Sequence, residues 1–104
     1  MSNRYSKRIK VKNHDGIHAR PSVKIVEMAN KFSSNIIIKK GNLSVDGKSI
    51  LDILTLAACF GTELIVEADG DDAKEAVEAV SALFAQEFNF KPLKTNENKG
   101  ESEL

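Results

Sequence analysis

The chain has 104 residues, a length that corresponds to one domain with a single modest core. Hydrophobic residues make up 41% and charged residues 29% of it, a balance typical of globular proteins. Fifteen basic residues are matched by fifteen acidic ones, so the chain lacks the basic excess that marks nucleic-acid-binding domains.

Cys59 is the only cysteine, which excludes an internal disulfide and a cysteine-based metal cluster. We expect its thiol to be buried. No charged-then-apolar leader opens the chain, and no apolar run approaches the ~20 residues needed to cross a bilayer. We therefore expect a cytoplasmic protein without membrane insertion.

The first half of the chain predicts a strand, a helix and a β-hairpin. Residues 6–12 alternate apolar with charged side chains, as a half-buried strand does. Residues 35–39 and 43–45 predict paired strands, because the Gly41-Asn42 pair between them favours a tight turn. From residue 19 to residue 32, apolar residues recur at the three- and four-residue spacings of a helix. These are Val23, Ile25, Val26, Met28, Ala29 and Phe32.

The next predicted element is a short helix over residues 49–60, which are too many for a strand between turns and which Gly61 should end. We expect the outward face of this helix to carry Leu51 and Leu54. Its buried face should comprise Ile50, Ile53, Leu56 and Ala57.

A fourth strand and a long helix complete the predicted elements. Residues 62–68 alternate in the manner of a strand. Residues 71–88 predict the helix, in which Asp72 and Glu75 approximate a capping box. Its buried stripe is expected to contain Ala76, Val77, Val80, Leu83 and Phe84.

The resulting order, β-α-β-β-α-β-α, predicts an α+β sandwich in which one sheet carries its helices on a single face. We place the folded domain at residues 1–88. Residues 89–104 are polar and contain Pro92 and Gly100, so we expect them to form a mobile tail.

The segment HDGIHARPS, residues 14–22, joins the first strand to the first helix. Proline suits the first turn of a helix, so Pro21 predicts a helix start near Ala19 or Arg20, with His18 just before it. The unpaired amide groups and the dipole at such a start attract anions. The guanidinium of Arg20 adds a forked donor that can grip phosphate oxygens.

His18 is the candidate reactive group of this segment. An imidazole is close to neutral at cytoplasmic pH and offers a lone pair for nucleophilic attack. Attack on a phosphoryl donor would give a phosphoimidazole beside a guanidinium, and the phosphoryl group could then be passed on. Gly16 allows the backbone to bend or approach closely there. The alternative is that His18 is a solvated turn residue.

A metal site, a calcium loop and an RNA-binding sheet are interpretations that these and neighbouring motifs support less well. His14 and His18 are four apart, but Gly16 and Pro21 argue against one helix carrying both, and no third ligand is near. We therefore expect no metal, and we expect His14 to be an exposed loop residue. If Asp69 in the acidic run at 68–72 began a calcium loop, Lys74 would stand where that loop has its glycine. The strands also lack the clustered aromatic residues that stack RNA bases.

The sequence GIHARPS, residues 16–22, closely resembles the active-site signature of HPr, the histidine-containing phosphocarrier family of the bacterial phosphoenolpyruvate-dependent sugar phosphotransferase system. The similarity extends to DGKSILDILTLA at 46–57, GTELIV at 61–66 and ADGDDAKEAVEAV at 68–80, at matching separations. The resemblance implies an open-faced β-sandwich, with a four-stranded antiparallel sheet and three helices on one face.

The resemblance also implies roles for the residues of the segment. His18 corresponds to the histidine that enzyme I phosphorylates on Nδ1 and that discharges to sugar-specific IIA proteins. Arg20 corresponds to the arginine that steadies the phosphoryl group, and Pro21 to the helix-starting proline. Gly16 and Ala19 supply the backbone around the phosphoryl site. We expect a monomeric carrier that is not itself an enzyme and that uses no cofactor and binds no nucleic acid.

Ser49 has two compatible roles. Ser49 with Asp52 forms an N-cap pattern for the second predicted helix. The resemblance implies that Ser49 is also the serine phosphorylated by HPr kinase/phosphorylase, although Asp52 would repel a phosphate there. Leu51 and Leu54 correspond to positions that contact enzyme I and IIA proteins.

The alternative function is regulatory. A protein of the same fold could act through phosphorylated Ser49, or through docking, on a transcription regulator or kinase in carbon or nitrogen control. The presence of both His18 and Arg20 favours phosphoryl transfer.

Overall fold

The computed structural model describes residues 3–13, 16–17 and 19–85. The helices and strands follow the predicted order: β1 (Arg4–Lys10), α1 (Ala19–Ala29), β2 (Asn35–Lys40), β3 (Leu43–Asp46), α2 (Ile50–Thr55), β4 (Glu63–Asp69) and α3 (Ala73–Phe84). The strands form one antiparallel sheet in the order β1-β4-β2-β3. Helix α3 packs on β1 and β4, α2 packs on β3, and α1 packs against the other two helices. The predicted open-faced sandwich is confirmed.

The core lies between the sheet and the helices. Alternation along β4 turns Leu64, Val66 and Ala68 inward, and all three are buried. Each is paired with a buried residue of a neighbouring strand, such as Ile9 opposite Leu64 and Ile38 opposite Val66. The two central strands, β4 and β2, therefore form the floor on which the helices pack.

Helix α1 begins at Ala19, in the predicted region, but it ends at Ala29. Its inward positions include Ser22, Ile25 and Ala29. Val23, one of the apolar residues whose spacing predicts this helix, is exposed. One residue advances a helix by about 100°. Because Ser22 faces inward, the next residue, Val23, is turned away from the core.

Helix α2 is shorter than predicted, because it ends at Thr55 and Ala57 has a left-handed backbone with φ of 48°. A helix of six residues can direct only a few side chains toward the core. Ile53 and Leu56 are buried as predicted, whereas Ile50 and Ala57 are exposed. Cys59, in the following loop, is exposed, so the predicted burial of its thiol is wrong.

The predicted capping box of α3 is not formed. Asp72 occupies the N-cap position without a side-chain capping bond. Its carboxylate instead accepts hydrogen bonds from the backbone N–H groups of Ser33 and Ser34 and from the Ser34 hydroxyl. The predicted end of this helix, residues 86–88, and the predicted tail, 89–104, lie outside the described residues.

None of the helices in the described part of the chain has both the length and the apolar character to span a membrane. Within the same ranges, no group of three or more histidine, cysteine, aspartate or glutamate side chains could hold a metal ion.

Candidate functional site

The turn that leads from β1 toward α1 is closed by reciprocal hydrogen bonds between Asn13 and Gly16. The N–H of Gly16 donates to the carbonyl of Asn13 over 3.0 Å, and the side-chain amide of Asn13 donates to the carbonyl of Gly16. The Asn13 side chain is buried. Because both ends of the turn are bonded, the chain arrives at Ile17 in a fixed direction.

Gly16 is held against the loop that joins α2 to β4. Its φ is +76°, and a Cβ added to it would lie 2.8 Å from the carbonyl oxygen of Ala58. The next residue, Ile17, donates its N–H to that same oxygen over 2.8 Å. Glycine is therefore required here both by the left-handed backbone and by the close approach of Ala58.

His18 lies outside the described residues, as does His14. The neighbours of His18 in the chain, Ile17 and Ala19, are both described. Ile17 is buried, and Ala19 is the first residue of α1. The residues on either side of the candidate histidine thus belong to a fixed loop and to the first turn of a helix.

The first turn of α1 has the composition of an anion-binding helix start. It contains no acidic residue, Arg20 is exposed there, and Pro21 is buried in the same turn. The free N–H groups at a helix start carry partial positive charge and point out along the helix axis. An anion at this helix start would be attracted by these groups and by the positive charge of Arg20.

The loop that supports Gly16 is itself fixed by hydrogen bonds that no local sequence pattern predicts. The ammonium group of Lys40 donates to the carbonyl of Leu56 over 2.7 Å. Farther along, the N–H of Cys59 donates to the Thr62 hydroxyl, and the N–H of Thr62 donates to the carbonyl of Cys59. These bonds hold both ends of the loop on which Gly16 and Ile17 rest.

Ser49 caps α2 as predicted, with its hydroxyl accepting a hydrogen bond of 3.2 Å from the N–H of Asp52. The carboxylate of Asp52 accepts from the N–H of Asp46, and the carboxylate of Asp46 accepts from the N–H of Lys48. Two carboxylates that support the β3–α2 turn therefore lie close to Ser49.

Five large apolar side chains are exposed on α1, α2 and the loop after α2: Val23, Ile50, Leu51, Leu54 and Phe60. We call them the apolar surface. Leu51 and Leu54 are exposed as the sequence predicts, and Leu51 is 74% exposed. The sequence predicts Ile50 in the core and does not single out Phe60, which is 55% exposed. An exposed group of this kind is typical of a binding surface.

The apolar surface lies beside the turn before α1. Helices α1 and α2 pack against each other. The backbone next to Phe60 contacts the turn before α1, since a Cβ on Gly16 would lie 3.2 Å from the Cα of Cys59. A protein that approaches the start of α1 would therefore also meet apolar side chains.

Comparison with known proteins agrees with this geometry. A family model described as "PTS HPr component phosphorylation site" matches residues 5–86. The phosphocarrier protein HPr of Treponema pallidum is 37% identical over 82 residues, which cover 79% of this chain and 93% of that protein. The HPr-like protein Crh of Bacillus subtilis is 35% identical over 80 residues, covering 77% and 94%.

The crystal structure of the phosphocarrier protein HPr from Bacillus anthracis aligns with a TM-score of 0.75 at 37% identity, covering 78% of this chain and 96% of that one. The family match and these relatives identify a phosphocarrier protein, and the chain belongs to the HPr family of the phosphotransferase system.

Proposed function

We propose that this chain accepts a phosphoryl group from enzyme I on His18 and passes it to sugar-specific IIA proteins. The observation that carries the proposal is the fixed approach to α1, in which Ile17 is hydrogen-bonded to the α2–β4 loop, Gly16 lies against that loop, and the first helical turn carries Arg20 without an acidic residue. The HPr relatives support the same reaction class.

The proposed chemistry is a displacement at phosphorus. The Nδ1 lone pair of neutral His18 attacks the phosphoryl group while the bond between phosphorus and the donor breaks, and the donor keeps that electron pair. The Arg20 guanidinium and the amide groups at the start of α1 face the negative charge that arrives. The second transfer reverses these steps toward an acceptor. The carrier thus acts stoichiometrically and needs no bound cofactor.

The apolar surface is the proposed docking site for enzyme I and the IIA proteins, with Leu51 and Leu54 at its centre. Both partners would have to bring a reactive group to His18, and a shared apolar contact beside it serves either one. We also propose that the carrier works as a monomer in the cytoplasm.

The proposal is tested by incubating the chain with enzyme I and phosphoenolpyruvate. We expect one acid-labile phosphate, located on His18 by mass spectrometry. The substitution His18→Ala should abolish it, whereas His14→Ala, the matched control in the same segment, should retain it. Arg20→Ala should slow transfer without abolishing it. Label that persists in the His18→Ala variant would overturn the assignment.

A second candidate function is regulation through Ser49. Two observations favour it: the HPr-like protein Crh is among the relatives, and Ser49 precedes the exposed residues Ile50 and Leu51. A phosphate on its hydroxyl would add negative charge beside an apolar surface, but it would also face the carboxylates of Asp46 and Asp52.

Incubation with HPr kinase/phosphorylase and ATP separates the two functions. If regulation operates, Ser49 gains an acid-stable phosphate that Ser49→Ala removes. We expect Asp52→Asn to accelerate this modification, because it removes a repelling charge. If the kinase leaves Ser49 unmodified in both the parent and the Asp52→Asn chain, regulation through a transcription regulator that binds phosphorylated Ser49 is excluded.

A further inference from the structure

The end of α3 lies close to Phe60 because both flank a single peptide unit. The carbonyl of Val11 accepts a hydrogen bond of 2.8 Å from the N–H of Gly61, and the N–H of Lys12 donates over 3.2 Å to the carbonyl of Phe84. The carbonyl of Val11 and the N–H of Lys12 belong to the same peptide unit. The nitrogen of Gly61 and the carbonyl oxygen of Phe84 are therefore separated by no more than about 8 Å, given standard peptide bond lengths.

The chain continues for 19 residues beyond Ala85, the last residue that the structure describes. Each extended residue spans up to ~3.5 Å. Phe88 and Phe90 follow Ala85 by three and five residues, so they can reach ~10 and ~17 Å from it. Both distances are sufficient for these side chains to contact Phe60.

The composition of this continuation changes along its length. Residues 86–93 read QEFNFKPL and contain two of the five phenylalanines of the chain. Residues 94–103 contain no apolar side chain. Pro92 disfavours helix at the residue before it, and Phe88 and Phe90 would point to one side of an extended segment. The family match ends at residue 86, so this segment follows the part that resembles HPr.

We propose that residues 86–93 dock on the Phe60 side of the apolar surface of their own chain. The aromatic side chains of Phe88 and Phe90 cover Phe60 and Leu54, and they compete with any partner that binds there. This docking occurs in cis, because a short connection from Ala85 gives the segment an effective concentration in the millimolar range. At this effective concentration, a contact too weak to form between separate molecules is formed in a substantial fraction of the chains.

The consequence for transfer rests on the proposed function, because the partners displaced are enzyme I and the IIA proteins. The docking itself does not depend on it. Two kinds of measurement therefore separate the claims: one on the isolated chain and one with the partners present.

The isolated chain is tested through Cys59, the only cysteine, which is exposed and precedes Phe60. In the full chain, Phe88→Ser/Phe90→Ser should raise the rate of Cys59 modification by a disulfide reagent about threefold or more, since a millimolar effective concentration keeps a weak contact mostly closed. The matched control, Asn89→Ser/Asn96→Ser, changes one residue of the segment and one just beyond it without removing an apolar side chain, and it should react like the parent.

Amide chemical shifts of Leu51, Leu54 and Phe60 give a second readout, and they should move in the Phe88→Ser/Phe90→Ser variant but not in the control. The single variant Phe90→Ser should show the same direction of change. It keeps the test valid if Phe88 also supports α3, which urea unfolding of each variant would reveal. Phosphorylation by enzyme I should accelerate by a similar factor in the double variant.

Equal Cys59 reactivity and unchanged shifts in the parent and the Phe90→Ser variant would overturn the docking. If the difference in Cys59 reactivity between the parent and the variant grows with protein concentration, a second copy of the chain covers the surface. That outcome would also overturn docking within one chain. If the segment docks but the parent and the double variant are phosphorylated at the same rate, the proposed competition between the segment and enzyme I is overturned. If no variant is phosphorylated, the proposed function fails, and the thiol and shift measurements still decide the docking.

Discussion

At the residue scale, Gly16 controls how the chain enters α1. Replacement by alanine would place a Cβ 2.8 Å from the Ala58 carbonyl oxygen at a φ of +76°. We expect Gly16→Ala to lower the free energy of unfolding by about 2–4 kcal/mol, from backbone strain plus overpacking, and to slow phosphorylation of His18.

Gly41→Ala is the matched control for this prediction. Gly41 also has a positive φ, of +57°, but no described atom lies within 4 Å of the position that its Cβ would take. We expect a loss of about 1 kcal/mol from the backbone alone, measured by urea unfolding. Equal losses in the two variants would show that the contact with Ala58 is relieved without cost.

Ala57 is the non-glycine residue with a positive φ among those described, at 48°. An L-residue in this conformation is strained by roughly 1–2 kcal/mol, and glycine is not. Ala57→Gly should therefore stabilise the fold by about 1 kcal/mol, part of the relief being offset by the greater freedom of glycine in the unfolded chain.

Ala85→Gly provides the comparison for Ala57→Gly. Ala85 ends α3 with a right-handed backbone, φ −84°, so glycine relieves no strain there and should not stabilise the fold. A shift of the urea midpoint in the same direction for both variants would contradict the assignment of strain to Ala57.

At the element scale, the N-terminus of α3 is tied to the loop between α1 and β2 through Asp72. The hydrogen bond from the Ser34 hydroxyl, followed by that from the Ser33 N–H, lowers the pKa of Asp72 from 3.8 to about 2. The folded state thus favours the ionised form. This contribution to stability is present in full above pH ~4, where the unfolded chain is also ionised, and is lost as the pH falls toward 2.

We expect the free energy of unfolding to decline between pH 4 and pH 2 less steeply in Asp72→Asn than in the parent, because the substituted residue cannot be protonated in that range. Thermal unfolding across the range measures the slope. Asp71→Asn removes the same charge from the neighbouring exposed position and should leave the parent slope in place. Identical slopes for the parent and Asp72→Asn would refute the link.

Sequence periodicity predicts the buried faces of some elements, whereas the end of α2 is not predicted by it. The alternation of β4 and the three- and four-residue spacing of α3 predict their buried faces correctly, because each element is long enough to repeat its pattern. Helix α2 is not, and residues 49–60 read as one apolar stretch although only Ile50–Thr55 is helical. The interruption at Ala57 comes from the path that the loop takes to reach β4, which a local pattern does not encode.

At the scale of the whole molecule, the fold separates the residues that stabilise it from those proposed to bind partners. Leu51 is 74% exposed, so Leu51→Ser should change the free energy of unfolding by no more than about 0.5 kcal/mol. If Leu51 lies at the centre of the docking site, the same change should lower the rate of transfer from enzyme I about tenfold, as loss of a central interface residue does.

Leu43→Ser is the control for this whole-molecule prediction. Leu43 is also an exposed leucine, but it lies on β3, a strand at the edge of the sheet. It should leave both stability and transfer nearly unchanged. Comparable losses of transfer in the two variants would place the docking site elsewhere than the apolar surface.

The sequence by itself determined the order of the elements, the buried faces of β4 and α3, the start of α1 and the phosphocarrier family. These depend on local periodicity, on proline and glycine chemistry and on a short signature motif. Only the tertiary structure decided that Ala58 accepts the hydrogen bond that fixes Ile17, that Asp72 binds Ser33 and Ser34, and that the end of α3 lies close to Phe60. Each of these contacts joins residues far apart in the chain, and such pairings are set by how the sheet and helices pack rather than by any neighbouring residues.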